Sequence, residues 1–189
     1  MTHDPNRLLD ELPAPVDDGA ADHLPGMAMP SISLQATSGD LVALGLASQD
    51  RTVVAFCYPK TGRPGVPPPP GWDDIPGARG CTPEACSFRD LTPEFEAVGA
   101  DLYGISTQDT QYQQEAAERL HLPYPLLSDE KLGLTRALNL PTMTVGEETL
   151  LRRLTLVVRT GVIVEVFYPV FPPDQHAQEV LELLHTRTF

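Results

Sequence analysis

From Thr52 to Tyr58 the chain reads Thr-Val-Val-Ala-Phe-Cys-Tyr, a continuous apolar, β-branched and aromatic run that stops against Pro59. A half-exposed strand alternates apolar and polar residues, whereas a run without alternation belongs to a strand covered on both faces. Such a strand needs a packed layer above and below its sheet. The class of fold therefore follows before any other feature is read: α/β, with Thr52 to Tyr58 at the centre of the sheet.

The remaining patterns fit around that strand. Ser31 to Gln35 and Leu41 to Leu44 flank Ala36-Thr37-Ser38-Gly39-Asp40, a turn-like stretch between two short strands. A strand at Asp101 to Ser106, a helix from Asp109 to Leu120 and a short strand at Pro123 to Leu127 come later, followed by a helix from Asp129 to Leu138. Leu151 to Arg159 and Val162 to Val170 form a hairpin joined at Thr160-Gly161. After Pro172-Pro173-Asp174, the residues Ala177, Val180, Leu181 and Leu184 recur at helical spacing. Thr52 to Tyr58 and Asp101 to Ser106 are separated by a helix and so run parallel, while the hairpin is antiparallel. The predicted fold is a thioredoxin-like sandwich with a mixed central β-sheet flanked by helices.

With 189 residues, 41% of them hydrophobic and only 6% aromatic, one compact core is the expectation. We place it in residues 26–189, with 1–25 as an N-terminal arm whose acids, prolines and small residues show no periodicity. A formal charge of −13 and the lack of any basic run exclude a phosphate-neutralising surface, so nucleic acid is not a partner class. No apolar run reaches the length of a membrane span, and Met1 to Gly19 lacks the basic-then-apolar order of a secretory signal. These features point to the cytosol.

Two of the three cysteines lie in Gly80-Cys81-Thr82-Pro83-Glu84-Ala85-Cys86-Ser87-Phe88-Arg89-Asp90. Thr82, Pro83 and Glu84 form a helix-start signal: a capping hydroxyl, a first-turn proline and an acid at the positive end. Cys81 at that mouth faces unpaired backbone N–H groups, which favour the thiolate. An odd cysteine count without a secretory signal argues against a stapling disulfide framework and for a reactive pair. Cys57, inside the apolar strand, reads as a small buried hydrophobe. His3, His23, His121, His176 and His185 are scattered without metal-site spacing, so neither metal nor other cofactor is implied.

Between strand and helix lies Pro59 to Arg79, which contains Pro67 to Pro70 and the only tryptophan, Trp72. It can be neither regular helix nor central strand. Segments of this length inside compact domains tend to be lids or binding segments, and this one leads to the cysteine helix. The other reading is a surface segment that Trp72 pins to the body.

Tyr58-Pro59-Lys60, Gly80-Cys81-Thr82-Pro83-Glu84-Ala85-Cys86 and Phe88-Arg89-Asp90 together resemble the Q-type peroxiredoxins, the bacterioferritin comigratory protein group. Gly104-Ile105-Ser106, Pro123 to Asp129, and Arg153 before Leu154-Thr155-Leu156-Val157-Val158 stand at the family's places, and the resemblance runs from about Leu24 to Leu184. It implies reduction of hydrogen peroxide or organic hydroperoxides, with Cys81 as peroxidatic and Cys86 as resolving cysteine, an intrachain disulfide, and a thioredoxin-type donor of electrons. It implies also that Arg153 lowers the sulfur's pKa and positions the peroxide, that Pro59 shields the thiol, and that Glu84 sits near the site. Without the match, Arg153 reads as a charge at a strand end, Pro59 as a strand stop and Glu84 as a first-turn acid. With the resolving cysteine in the same chain no dimer is required, and a monomer is expected.

The implied disulfide carries a geometric demand. Five residues along an ideal helix separate Cα atoms by about 8.6 Å, whereas a disulfide needs them within about 6.8 Å. The first turns must therefore unwind, and Pro93 is expected to confine that to Thr82 through Thr92. The sequence also departs from the family. Ala78 stands where Thr or Ser is usual, three residues before Cys81, and the proline-rich stretch is a long insertion. Thr61 is the candidate to fold back and supply the missing hydroxyl. Two alternatives use the same cysteines: a thiol-disulfide oxidoreductase acting on proteins, disfavoured because four residues separate them rather than two, and a peroxide-sensing redox switch.

Overall fold

The computed structural model describes residues 12–187. Residues 1–11 of the expected arm, His3 among them, and the last two residues lie outside the described ones. In chain order the elements are β1 (Leu34–Ala36), β2 (Leu41–Val42), α1 (Leu44–Ala47), β3 (Thr52–Cys57), a 3₁₀ turn (Trp72–Asp74), α2 (Cys81–Asp90), α3 (Thr92–Ala97) and β4 (Ala100–Ser106). They continue with α4 (Thr110–Leu120), β5 (Leu126–Ser128), α5 (Gly133–Leu138), β6 (Thr142–Val145), β7 (Glu148–Leu151), β8 (Leu154–Arg159), β9 (Val162–Phe167) and α6 (His176–Thr186).

Seven strands form one mixed sheet in the order β2-β1-β5-β4-β3-β8-β9, with β3 parallel to β4 and antiparallel to β8. Thr52 to Tyr58 thus sits in the interior, as its composition demands, and its side chains divide by parity. Val53, Ala55 and Cys57 enter one core layer with Leu24, Leu134 and Leu138, while Val54, Phe56 and Tyr58 enter the other with Phe88, Phe95, Val180 and Leu181. In the second layer Phe56 stacks on Phe88 with ring centroids 4.3 Å apart, fastening α2 flat against β3. Gly104 on β4 makes that layer possible: a Cβ there would come within 2.5 Å of Leu126 and 2.9 Å of Phe56.

Several local expectations are corrected. The first hairpin is shorter than expected, because Leu44 opens α1 instead of extending a strand. Asp129 does not begin its helix; its carboxylate accepts from the Leu134 and Thr135 amides at 3.1 and 2.8 Å, so α5 starts at Gly133. The strand expected from Leu151 to Arg159 begins at Leu154 instead, because Leu151 ends β7 in a separate two-stranded β6–β7 sheet. The boundary at 25/26 is not where packing begins: Leu24 is fully buried and Ala21 lies beside it, and Asp18 joins Tyr168 and Arg152 on the body. At Pro93 the expectation of a break is met, since α2 ends at Asp90 and α3 restarts with proline in its first turn.

Candidate active site

α2 begins without a side-chain cap. Gly80 occupies the cap position at φ 110°, a conformation costly to any side chain, so Thr82 is not the cap and Cys81 is itself the first helical residue. Cys81 is 3% exposed. Its Sγ accepts from the Lys60 backbone N–H at 3.4 Å and from Arg153 Nη2 at 3.2 Å, and faces the Ala78 carbonyl at 3.5 Å. Two donors thus converge on the sulfur from opposite parts of the chain.

Arg153 stands between β7 and β8 and is buried, not a charge at the surface. Nη1 pairs with Glu84, which is fully buried, and Nη2 lies 3.4 Å from each of the carbonyl oxygens of Gly77, Ala78 and Arg79. Glu84 and three carbonyls therefore hold the guanidinium against Cys81, a set of contacts only a planar fork can satisfy. Among the described residues Glu84 Oε1 has no hydrogen-bond partner. Burial pushes the Glu84 carboxyl up to about 7, with Arg153 pulling it back. Burial also dominates at Cys81 and pushes its thiol up; Arg153 opposes this, Glu84 adds to it, and the Lys60 amide opposes it again. This cost of desolvation outweighs the lowering expected from the helix start. Ionisation of Cys81 leans on Arg153 and the Lys60 amide, not on the helix end alone.

The remaining expected residues fall around this centre. Pro59 is buried and leads directly into the Lys60 amide. Ala78 is fully buried in a small cluster with Trp72, Val145 and Leu150, so its side chain serves packing. Thr61 shares a cavity of about 340 Å³ with Cys81, yet its hydroxyl donates to Gln108 Oε1 at 3.1 Å. Cys86 is partly exposed further along α2, and Cys57, Cys81 and Cys86 are all free thiols.

Pro59 to Arg79 turns out to be both anchored and part of the site. Arg119 Nη2 donates to the Gly62 carbonyl at 2.8 Å, Arg63 lies 4.0 Å over the Tyr112 ring, and Trp72 is buried at the far end. Between these anchors, Val66 and Pro67 to Pro69 wall the cavity opposite Cys81. The sequence carries no mark of the Lys60 amide, Gln108 or Tyr112 as parts of the site. A backbone donor has no side-chain signal, and the other two are ordinary residues of a loop and a helix until folding sets Gln108 against Thr61 and Tyr112 against Arg63.

What this fold and pocket define is a cysteine-dependent redox protein of thioredoxin-like architecture. The chain belongs to the Redoxin family, whose model matches residues 24–183. A chloroplastic peroxiredoxin Q of Populus jackii is 32% identical over 162 residues, which cover 85% of this chain and 68% of that protein. The peroxidoxin BcpB of Mycobacterium tuberculosis superposes with a TM-score of 0.71 at 29% identity, over 88% of this chain and all of that one. The peroxiredoxin Q of Xanthomonas campestris, at 23% identity and a TM-score of 0.64, shares the fold over 93% of this chain and 98% of its own.

Proposed function

We propose that the protein is a thiol-dependent peroxidase in which the Cys81 thiolate attacks the terminal oxygen of a hydroperoxide. The O–O bond breaks, the departing oxygen leaves as water or an alcohol after taking a proton, and Cys81 becomes a sulfenic acid. The Cys86 thiol then displaces water from that sulfenic acid to give the Cys81–Cys86 disulfide. A dithiol donor of thioredoxin type returns both cysteines to thiols.

The observation that carries this reading is the convergence of Arg153 Nη2 and the Lys60 N–H on the Cys81 sulfur, inside a cavity. Donors already aimed at the sulfur are placed to hold a peroxide oxygen as charge develops on it. The cavity exceeds what hydrogen peroxide fills, so organic hydroperoxides are proposed as substrates too, their substituents against Val66 and the prolines. Closure of the disulfide needs α2, continuous from Cys81 through Cys86, to unwind. The resolving thiol lies in the same chain, which suits a monomer, and the cytosol is the proposed compartment, where thiol donors keep such a pair turning over.

The test is stopped-flow oxidation with hydrogen peroxide and cumene hydroperoxide, coupled to thioredoxin turnover and followed by mass spectrometry of the Cys81 and Cys86 peptides. Rapid turnover that Cys81→Ser abolishes, with a single turnover and a sulfenic acid in Cys86→Ser, supports the reading. Oxidation without turnover points to a sensor, and reduction of protein disulfides without peroxide consumption points to an oxidoreductase; either result overturns it.

A further inference from the structure

Gln108 lies in the turn between β4 and α4, and it is only 7% exposed. Its side-chain amide addresses a single residue. Oε1 accepts from the Thr61 backbone N–H at 2.9 Å and from the Thr61 hydroxyl at 3.1 Å, while Nε2 lies 3.3 Å from the Thr61 carbonyl, to which it donates. An N–H needs an acceptor and a carbonyl needs a donor, so only one orientation of the amide fits. All three polar groups of Thr61 are held by one side chain.

Gln108 is held in turn. Its backbone N–H donates to Ser106 Oγ at 3.3 Å and its carbonyl accepts from Ser128 Oγ at 2.7 Å. Gln113 Nε2 braces the same Ser106 hydroxyl at 3.0 Å and also reaches the Leu127 carbonyl at 2.9 Å. The clamp is therefore tied to β4, β5 and α4. Its other end is one peptide bond from Lys60, whose N–H points at the Cys81 sulfur.

We propose that Gln108 is a positioning residue for the thiol chemistry: by clamping Thr61 it fixes the Lys60 N–H on the Cys81 sulfur and holds the Thr61 side of the cavity in place. This rests on Cys81 being the attacking thiol. Nothing in the turn Ser106-Thr107-Gln108-Asp109 marks the role, because Gln108 does not itself touch the sulfur. With Ala78 supplying no hydroxyl, the Lys60 amide is the one donor to the sulfur besides Arg153 among the described contacts. Its placement then matters more than that of an ordinary loop peptide.

The test compares Gln108→Leu and Gln108→Glu with the parent. Two readouts are used: the pH midpoint for iodoacetamide alkylation of the Cys81 peptide, followed by mass spectrometry, and the second-order rate with hydrogen peroxide. Gln108→Leu removes every contact to Thr61; its midpoint should rise and its peroxide rate fall about tenfold or more, the loss of a well-placed donor to a charged group. Gln108→Glu keeps both acceptor contacts, loses the donation to the Thr61 carbonyl and adds a negative charge, so its midpoint should also rise and its rate fall relative to the parent. A purely structural role would lower the melting temperature without moving the midpoint, and that result overturns the proposal. If Gln108→Leu does not fold, a Gln108→Glu protein with the parent's midpoint and rate overturns it alone. The alkylation midpoint is measured without peroxide, so a parent that fails to consume peroxide refutes the peroxidase reading and leaves this test standing.

Discussion

The phenol of Tyr124 donates to the main-chain carbonyl of Ala85 across 2.7 Å, between a buried ring and the middle of the helix that carries both Cys81 and Cys86. Ala85 is the residue immediately before Cys86, so the bond fastens the part of α2 that has to open before the two sulfurs meet. Arg89, whose Nη1 donates to the Leu120 carbonyl at 2.9 Å, fastens the following turn. The reduced helix is thus held from outside as well as by its own ladder.

Tyr124→Phe should loosen this fastening while keeping the ring. One net hydrogen bond of ordinary strength corresponds to a rise of about fivefold in the rate at which a Cys81 sulfenic acid is converted to disulfide. Less sulfinic acid should then form at high peroxide, because resolution competes with over-oxidation. Rapid-quench mass spectrometry of both species checks this, and unchanged partitioning would show that opening of α2 is limited elsewhere.

Arg153→Lys keeps the charge and loses the fork. A point charge cannot serve Glu84, the Cys81 sulfur and the carbonyls of Gly77, Ala78 and Arg79 together. The second-order rate with hydrogen peroxide should fall about a hundredfold, the scale of losing a donor aimed at developing charge. Stopped-flow kinetics measure it, and a loss below about threefold would contradict the placement given to Arg153.

Glu84→Gln leaves an acceptor for Arg153 and removes a negative charge that pushes Cys81 up. Cys81 should then ionise at lower pH, because one like charge is gone and the guanidinium is no longer shared with a carboxylate. In the parent the Glu84 carboxyl, titrating near 7, loses its proton before the raised Cys81 thiol does, so Cys81 ionises against the full like charge that the variant lacks. The rate of iodoacetamide reaction against pH reads the difference.

His176 packs at the start of α6, its Nε2 within 2.7 Å of Thr155 Oγ1 and its ring edge-on to Phe88 and Phe167. Burial depresses it to about 3, and Arg153 adds to the depression. In the unfolded chain it takes up a proton near 6.5, which the folded chain refuses until about 3. The unfolded state therefore binds more protons across that window, and stability is full above the upper limit and lost as the pH falls toward the lower. His176→Phe should flatten the dependence by about one proton in that range. Urea unfolding of parent and variant from pH 7.5 to 4, taken as about seven half-unit steps, supplies the difference.

How much of this was legible beforehand depended on whether a residue's role lies along the chain or across it. The Thr52 to Tyr58 run placed β3 correctly because burial on both faces is a local compositional demand. Pro93 marked the end of α2 for an equally local reason. Arg153, Glu84 and Cys81 could be named from their motif, but not the burial that raises both Glu84 and Cys81, since desolvation is set by neighbours that sequence does not list together. A hydroxyl at Thr61 is what the sequence offers in place of the one missing at Ala78; the structure ties that hydroxyl to Gln108, and the Lys60 backbone joins Arg153 as a donor on the sulfur. Packing before residue 26 is illegible for a similar reason: Ala21 and Leu24 belong to no periodic pattern, yet they fill the layer over Leu134 and Leu138.

Cys57, the last residue of β3, and Tyr58 immediately after it point into opposite core layers, which puts Cys57 on the far side of the sheet from Cys81. It is fully buried, and burial carries its thiol beyond the range in which it ionises. The two faces of the sheet thereby separate the cysteines into the pair proposed to react and one that is sealed away. A disulfide-exchange dye added to the native protein should count two sulfhydryls and register the third only as molecules open. The appearance of that third signal is a clock for global unfolding that nature has already installed, readable without adding a label or altering the site.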